Sequence, residues 1–323
     1  MEQFEFQTIR SVPEILNATF ALIRESFPEL RRTILVYLFP TILVAELLNA
    51  LLTGDLLQES LEQLFGITSS GAASGAIVST GSVGLDLLLH LLAFVLYIVG
   101  FTLLIAATFA FIRLKESGGE AELDLWELRG ETMQLFWKVL GTNIGLFLLF
   151  SFGAFFLSLF TRGAPDLIGL LIVGVAILLL WFIVTSALYY PVRFIEEDEF
   201  FASFSRSRVL LQGYKWPTFG LLALSFLVVG TFASPSFFLT FLWYFLESVG
   251  LAPALVSGGA WTLLFALLSA LLSAAVQLAN AIPLICLALH YYSQRERLEG
   301  VGLEKKIALI GTDLSPLEEK NEL

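Results

Sequence analysis

Polar residues are rare enough in this chain that each asks for a reason. Glu46 and Asn49 lie in the run "TILVAELLNALL", and Asp86 and His90 in "GLDLLLHLLAF". Spacings of three and four residues put each pair on one face of a helix. At 1.5 Å per residue, Glu46 stands about 10 Å inside the outer end of its apolar run, with His90 at similar depth. Ionisable groups inside a membrane are costly and often functional. Glu46, Asn49, Asp86 and His90 therefore form a candidate polar cluster, whose chemistry would be binding or passage of a solute or lipid. The plainer alternative is a first span that ends early and leaves Glu46 among wet headgroups.

A second group is charged. "FSRSRVLLQGYKW", residues 204–216, carries Arg206, Arg208 and Trp216 between two strongly apolar runs, and Arg295, Arg297 and Glu299 follow the last such run. Guanidinium groups placed at a membrane edge pair with lipid phosphate or with carboxylates. These six residues form a candidate cytoplasmic collar, in which the tail residues salt-bridge to the 204–216 segment. Other chemistry is thin. His90 and His290 belong at opposite membrane faces, so no metal-ligand cluster forms. No Gly-rich loop precedes a Lys-Ser or Lys-Thr pair, and "GSVG" and "SGAASG" are weak matches to anything. The expectation is a protein that is not an enzyme and uses no cofactor or metal.

The elements that must position these residues follow from composition. Of 323 residues, 57% are hydrophobic and only 15% charged, and the mean hydropathy is +0.83. Ordinary soluble domains carry about 25% charge, so lipid must solvate this chain. A net charge of −11 argues against a nucleic-acid partner. The single cysteine, Cys286, excludes a disulfide framework within the chain. The acidic start "MEQFEFQTIRS" does not read as a signal peptide.

Apolar runs of about 20 residues read as membrane helices. They fall at roughly 33–53, 85–112, 138–160, 167–190, 218–246 and 259–291, which predicts an all-α integral membrane protein with six transmembrane helices in one domain. Residues 54–84 are an outer loop and 292–323 a cytoplasmic tail. Pro235, in "TFASPSFFL", leaves the fifth span open to a kink, a re-entrant break or a second crossing. Basic residues mark cytoplasmic loops, and six spans put every one of the 18 Lys and Arg except Arg162 on one side. Both termini are then cytoplasmic, and the terminal "KNEL" is a chance likeness to a lumenal retrieval signal.

Three amphipathic segments precede three of these spans. "SVPEILNATFALIRESF" has Ser11 and Glu14 at capping-box spacing, with Ile15, Leu16, Phe20, Ile23 and Phe27 on one face. "LDLWELRGETMQLFWK" has Leu125, Leu128, Thr132 and Leu135 in a stripe, and the third is residues 200–216. The pattern predicts a threefold repeat of an in-plane cytoplasmic helix followed by a transmembrane hairpin. Gly213 should permit the turn into span five, and Pro217 should start it. Small residues mark helix packing: Gly141 and Gly145 in span three, and Ala266, Ala270 and Ala274 beside Ser269, Ser273 and Gln277 in span six. Asn280 and Pro283 suggest a kink.

The motif Arg206-Ser207-x-x-Leu210-x-x-Gly213-x-x-Trp216, with Pro191 and Glu196 upstream, and the tail Arg295-x-Arg297-x-Glu299-Gly300-x-x-Leu303-Glu304 carry a likeness. Together with six spans they resemble the bacterial membrane domain fused to some glycerophosphodiester phosphodiesterases, and its stand-alone relatives. Arg208 stands where that family often has an aromatic residue, and Ser293 and Gly302 where it often has aspartates. The resemblance implies a helical bundle in the bacterial cytoplasmic (inner) membrane. It implies no known reaction, because the phosphodiesterase barrel needs about 250 further residues. The expected function is a non-catalytic scaffold or accessory subunit of a membrane complex. The alternative is a small-solute or lipid transporter. Expected partners are membrane lipids and another membrane protein or a second copy of the chain.

Overall fold

A computed structural model describes residues 5–28, 38–53, 83–118, 124–163, 168–248, 260–304 and 307. Among them every regular element is helical: α1 (Val12–Glu25), α2 (Phe39–Thr53), α3 (Val83–Gly118), α4 (Leu125–Gly163), α5 (Ile168–Thr185), α6 (Tyr189–Pro191), α7 (Phe200–Leu210), α8 (Lys215–Ser248), α9 (Ala260–Ala279) and α10 (Ala281–Glu299). A π turn, Val192–Glu196, continues α6. The chain forms two compact units, one of Met1–Glu29, Ala106–Ser225 and Ile282–Leu323, the other of Leu30–Ile105 and Phe226–Ala281.

Four stretches are long and apolar enough to cross a membrane: Leu88–Ser117, Trp126–Leu157, Lys215–Leu239 and Leu264–Glu299. Val173–Thr185 with Tyr189–Glu196 makes a fifth if the pair, bent by 42°, is one crossing. Their surfaces are apolar outward: Phe152 is 65% exposed, Leu178 66% and Phe237 73%. Patches of this kind need a nonaqueous solvent. The chain is thus a helical protein built for a bilayer. Of the first expected span, only residues 38–53 are described, and the outer loop lies outside the described residues up to residue 82.

Several boundaries differ from the sequence reading. The segment expected as a second in-plane helix is the start of one continuous helix, α4. Nothing in "LDLWELRGETMQLFWK" breaks it, and its buried stripe Leu128, Thr132 and Leu135 continues through Val139 and Thr142 at helical spacing. The fourth span stops at Thr185 rather than 190. Pro191 cannot donate to the Ala187 carbonyl, while Ser186 Oγ and Thr185 Oγ donate to the carbonyls of Phe182 and Trp181 at 2.6 and 2.9 Å, a pattern that bends helices. By contrast α8 runs unbroken through Pro235. The Thr231 carbonyl that Pro235 leaves without an N–H accepts the Ser234 hydroxyl at 2.8 Å instead. At the sixth span the interruption falls at Asn280, between α9 and α10, and part of the expected tail, Tyr292–Glu299, is helix.

α1 forms as expected: Glu14 accepts the Ser11 backbone N–H at 2.7 Å. Its buried face, however, is Ile15, Thr19, Leu22 and Ser26, while Phe20 and Phe27 are exposed. Of the expected apolar stripe Ile15 is buried, while its aromatic members Phe20 and Phe27 turn outward, as lipid permits. The inward face carries Thr19, whose hydroxyl lies 3.3 Å from Cys286 Sγ.

Candidate functional site

Among the described residues a polar cluster joins α7, the π turn and α10, all in one unit. α7 begins after Glu199, an extended residue whose carbonyl accepts the Ser203 hydroxyl at 2.8 Å. It ends at Leu211, and Gly213 at φ +83° turns the chain into α8. Only glycine takes that conformation at little cost. Pro217 then stands in the first turn of α8, where a missing N–H costs nothing.

This path sets Arg206 opposite Glu196. The guanidinium grips the carboxylate with both prongs, Nε to Oε2 and Nη2 to Oε1, each at 3.0 Å. The same Nη2 donates to Glu299 on α10. Arg295 donates to Glu299 at 3.0 Å, one turn along its own helix, and to the Tyr291 hydroxyl at 3.2 Å. Tyr291 in turn donates to Glu196 at 2.8 Å. Two guanidinium groups thus balance two carboxylates, with a phenol bridging them. The hydrogen bonds to Glu196, ahead of those to Glu299, hold the Arg206 guanidinium charged above its ordinary range against the opposing effect of burial.

Sequence reading missed the role of Ser207. Its hydroxyl donates to the Thr185 carbonyl at 3.1 Å and accepts the Leu188 N–H at 3.2 Å. It therefore satisfies both sides of the bend where α5 stops. Arg206 and Ser207 are a pair because one ties α7 to α10 and the other ties it to α5. Glu196 and Tyr291 were likewise missing from the expected collar; Glu196, upstream of the Arg-Ser motif, was the available signal.

The remaining collar residues go elsewhere. Arg297 lays its guanidinium over the Tyr214 ring, 3.9 Å from the centroid, and its buried Nε has no hydrogen-bond partner among the described residues. Arg208 stands over the Trp181 ring at 5.9 Å, the face favoured by a cation. Trp216 is 83% exposed and meets Phe219 edge-on.

α10 supplies further links. His290, buried, lies 2.9 Å from Thr218 Oγ1. The Thr218 proton goes to the Tyr214 carbonyl at 2.7 Å, so His290 Nε2–H is the donor and Nδ1 is left as an acceptor. Tyr292 donates to Glu116, and Ser293 Oγ accepts the Arg10 N–H at 2.9 Å. A separate ion-pair group joins Arg113 to Glu131 at 3.2 Å and to Glu197 at 3.0 Å.

The outer polar group resolves less fully. Glu46 is buried and His90 exposed, while the side chains of Asn49 and Asp86 lie outside the described residues. Of the two packing glycines, Gly145 is closely approached: a Cβ there would stand 2.8 Å from Phe200 Cε2. Gly141 has no described heavy atom within 4 Å of that position, so no described neighbour packs against it. The tight neighbour of span three is an aromatic ring from α7, not another backbone. Ala266, Ala270 and Ala274 lie buried along one face of α9, which packs on α2. Among the described residues no group of three or more His, Cys, Asp or Glu could hold a metal ion. No protein-family model, curated protein or solved structure matches this chain.

Proposed function

We propose that the chain is a non-catalytic multi-pass membrane protein, a scaffold or accessory subunit of a membrane complex in the bacterial inner membrane. It crosses six times with both termini cytoplasmic, and α1, the start of α4 and α7 stand at the cytoplasmic entries. The observation that carries this reading is the charge-balanced clasp of Glu196, Arg206, Arg295, Glu299 and Tyr291. Its charges are spent on one another, which suits rigid placement of α7. The outward face of that helix keeps Phe201 at 75% and Val209 at 53% exposed, beside Arg208. A rigid, mixed apolar and cationic face is what a partner or headgroup layer can engage. The motif likeness to the phosphodiesterase-linked membrane domain supports the same reading.

Purification in mild detergent tests it. A defined protein should co-purify with the wild type and be lost from Phe201→Glu, a variant that leaves the clasp intact. Copurification unchanged by Phe201→Glu would overturn the proposal. Cysteines placed at Ser74 and Ser315, in a Cys286→Ser background, should be labelled from opposite sides of the membrane. Labelling of both from outside would end the six-span topology. The second reading, small-solute or lipid handling, is favoured by one observation, the burial of Glu46 and Gln277 in the other unit.

A further inference from the structure

Gln277 is 4% exposed, and neither its amide oxygen nor its amide nitrogen has a hydrogen-bond partner among the described residues. Buried side-chain amides are almost always satisfied, so an exception asks for a ligand. The amide sits where three helices meet. A Cβ on Gly100 of α3 would stand 3.1 Å from Ile42 Cγ1 of α2 and 3.8 Å from Gln277 Nε2 of α9. Glu46 lies one helical turn beyond Ile42 on the same buried face of α2. Tyr97 lies one turn from Gly100 on α3.

We propose that this junction is an intramembrane binding site for a small monovalent cation, with the Glu46 carboxylate and the Gln277 amide oxygen as ligands. Three facts select a cation. The described residues of this unit contain no Lys or Arg, so an ionised Glu46 has no permanently charged cation there to pair with. α9 ends two residues past Gln277, and a helix C-terminus carries partial negative charge. Four residues after Ala279, where a continuing helix would supply an N–H to its carbonyl, stands Pro283, which has none. One carboxylate balances one positive charge, which selects a monovalent ion over a divalent one. Ionisable residues within a bilayer mark ion or proton paths by default, and interrupted helices commonly supply the carbonyl ends that hold the ion. This inference is independent of whether the α7 face docks a partner.

The test uses the full chain in lipid nanodiscs. Thermal unfolding is followed in choline chloride while NaCl, KCl or methylammonium chloride replaces it at constant ionic strength. At least one of the three should raise Tm with saturation. Gln277→Leu, which keeps the shape of the side chain, should weaken that affinity by about tenfold or more, and Glu46→Gln should abolish it. No saturable shift with any of the three cations, or full affinity in Gln277→Leu, overturns the site. Because Glu46→Gln could disturb insertion, the wild type supplies a second readout. Adding the effective cation should convert the infrared band of a protonated carboxyl into that of a carboxylate, and an unchanged spectrum overturns the proposal.

Discussion

α10 and α9 are successive parts of one apolar stretch, yet most polar side chains on the first are tied to partners and the one large buried polar side chain on the second is not. Around α10, Tyr291, Tyr292, Ser293 and Arg295 all reach partners on other segments or on their own helix, while single atoms of His290, Gln294 and Arg297 have none among the described residues. Around α9 the buried face is Ala266, Ala270, Ala274 and then Gln277, whose amide has no partner. The first pattern is that of a structural joint. Its hydrogen bonds are made within the chain, and removing one leaves a buried group exposed to the full cost of desolvation. The second is a packed apolar seam with one exception, and such an exception in a seam of small residues points toward something that is bound there.

The contrast can be broken most forcefully at Arg206. Arg206→Glu would set a third carboxylate against Glu196 and Glu299, and unfolding in detergent should show a loss of about 3 kcal/mol or more. The reversed pair, Arg206→Glu with Glu299→Arg, should recover part of that loss; no recovery would mean the clasp is not the source. Next comes overpacking. Gly145→Leu drives a side chain into Phe200 and should cost about 1–3 kcal/mol, whereas Gly141→Leu, with open space around it, should stay near the wild type. Equal losses at both positions would refute the close approach of α7 to α4. Ser207→Ala removes the hydroxyl from the Thr185 carbonyl and the Leu188 N–H, for an expected loss of about 1–3 kcal/mol. Hydrogen exchange should rise at the Leu188 amide in that variant and remain unchanged on α1.

The smallest effect is a pH dependence at α1. The Ser11 N–H, and after it the Ser11 side chain, hold the Glu14 carboxyl below its ordinary value. A depressed carboxyl contributes stability above its unfolded pKa of about 4.3, and that contribution fades as pH falls through the lower folded value. Unfolding curves of the wild type and Glu14→Gln should therefore differ at neutral pH and converge in acid. A difference that grew as pH fell would reverse the sign and discard the cap.

Much of this was legible from residue order. The Ser11-x-x-Glu14 cap, the Gly213 turn and the Pro217 start are local, and each depends only on neighbours a few residues away. The meeting of Arg206 with Glu299 was anticipated from two basic and acidic motifs at the same end of their spans. Glu196 and Tyr291 were not, since pairing them requires knowing that the chain bends after Thr185. The inward face of α1, with Ile15, Thr19, Leu22 and Ser26, was not named from the sequence either. In water the largest apolar stripe goes inside, but a lipid-facing helix gains nothing by hiding Phe20 and Phe27, and the smaller face with Thr19 packs more closely.

Composition and hydropathy alone determined that this chain is helical and made for a bilayer, because no soluble core could cover so much apolar surface. Periodicity and caps determined where several helices begin. Tertiary structure decided which polar groups find each other. The Ser207 hydroxyl reaches the bend at Thr185–Leu188, and the Ser234 hydroxyl keeps α8 whole through Pro235. It also decided that Gln277 meets Ile42 at Gly100 with its amide unpaired. The physical reason is range. Backbone preference acts over three or four residues, whereas a buried hydrogen bond is set by whichever segment packing brings within about 3 Å.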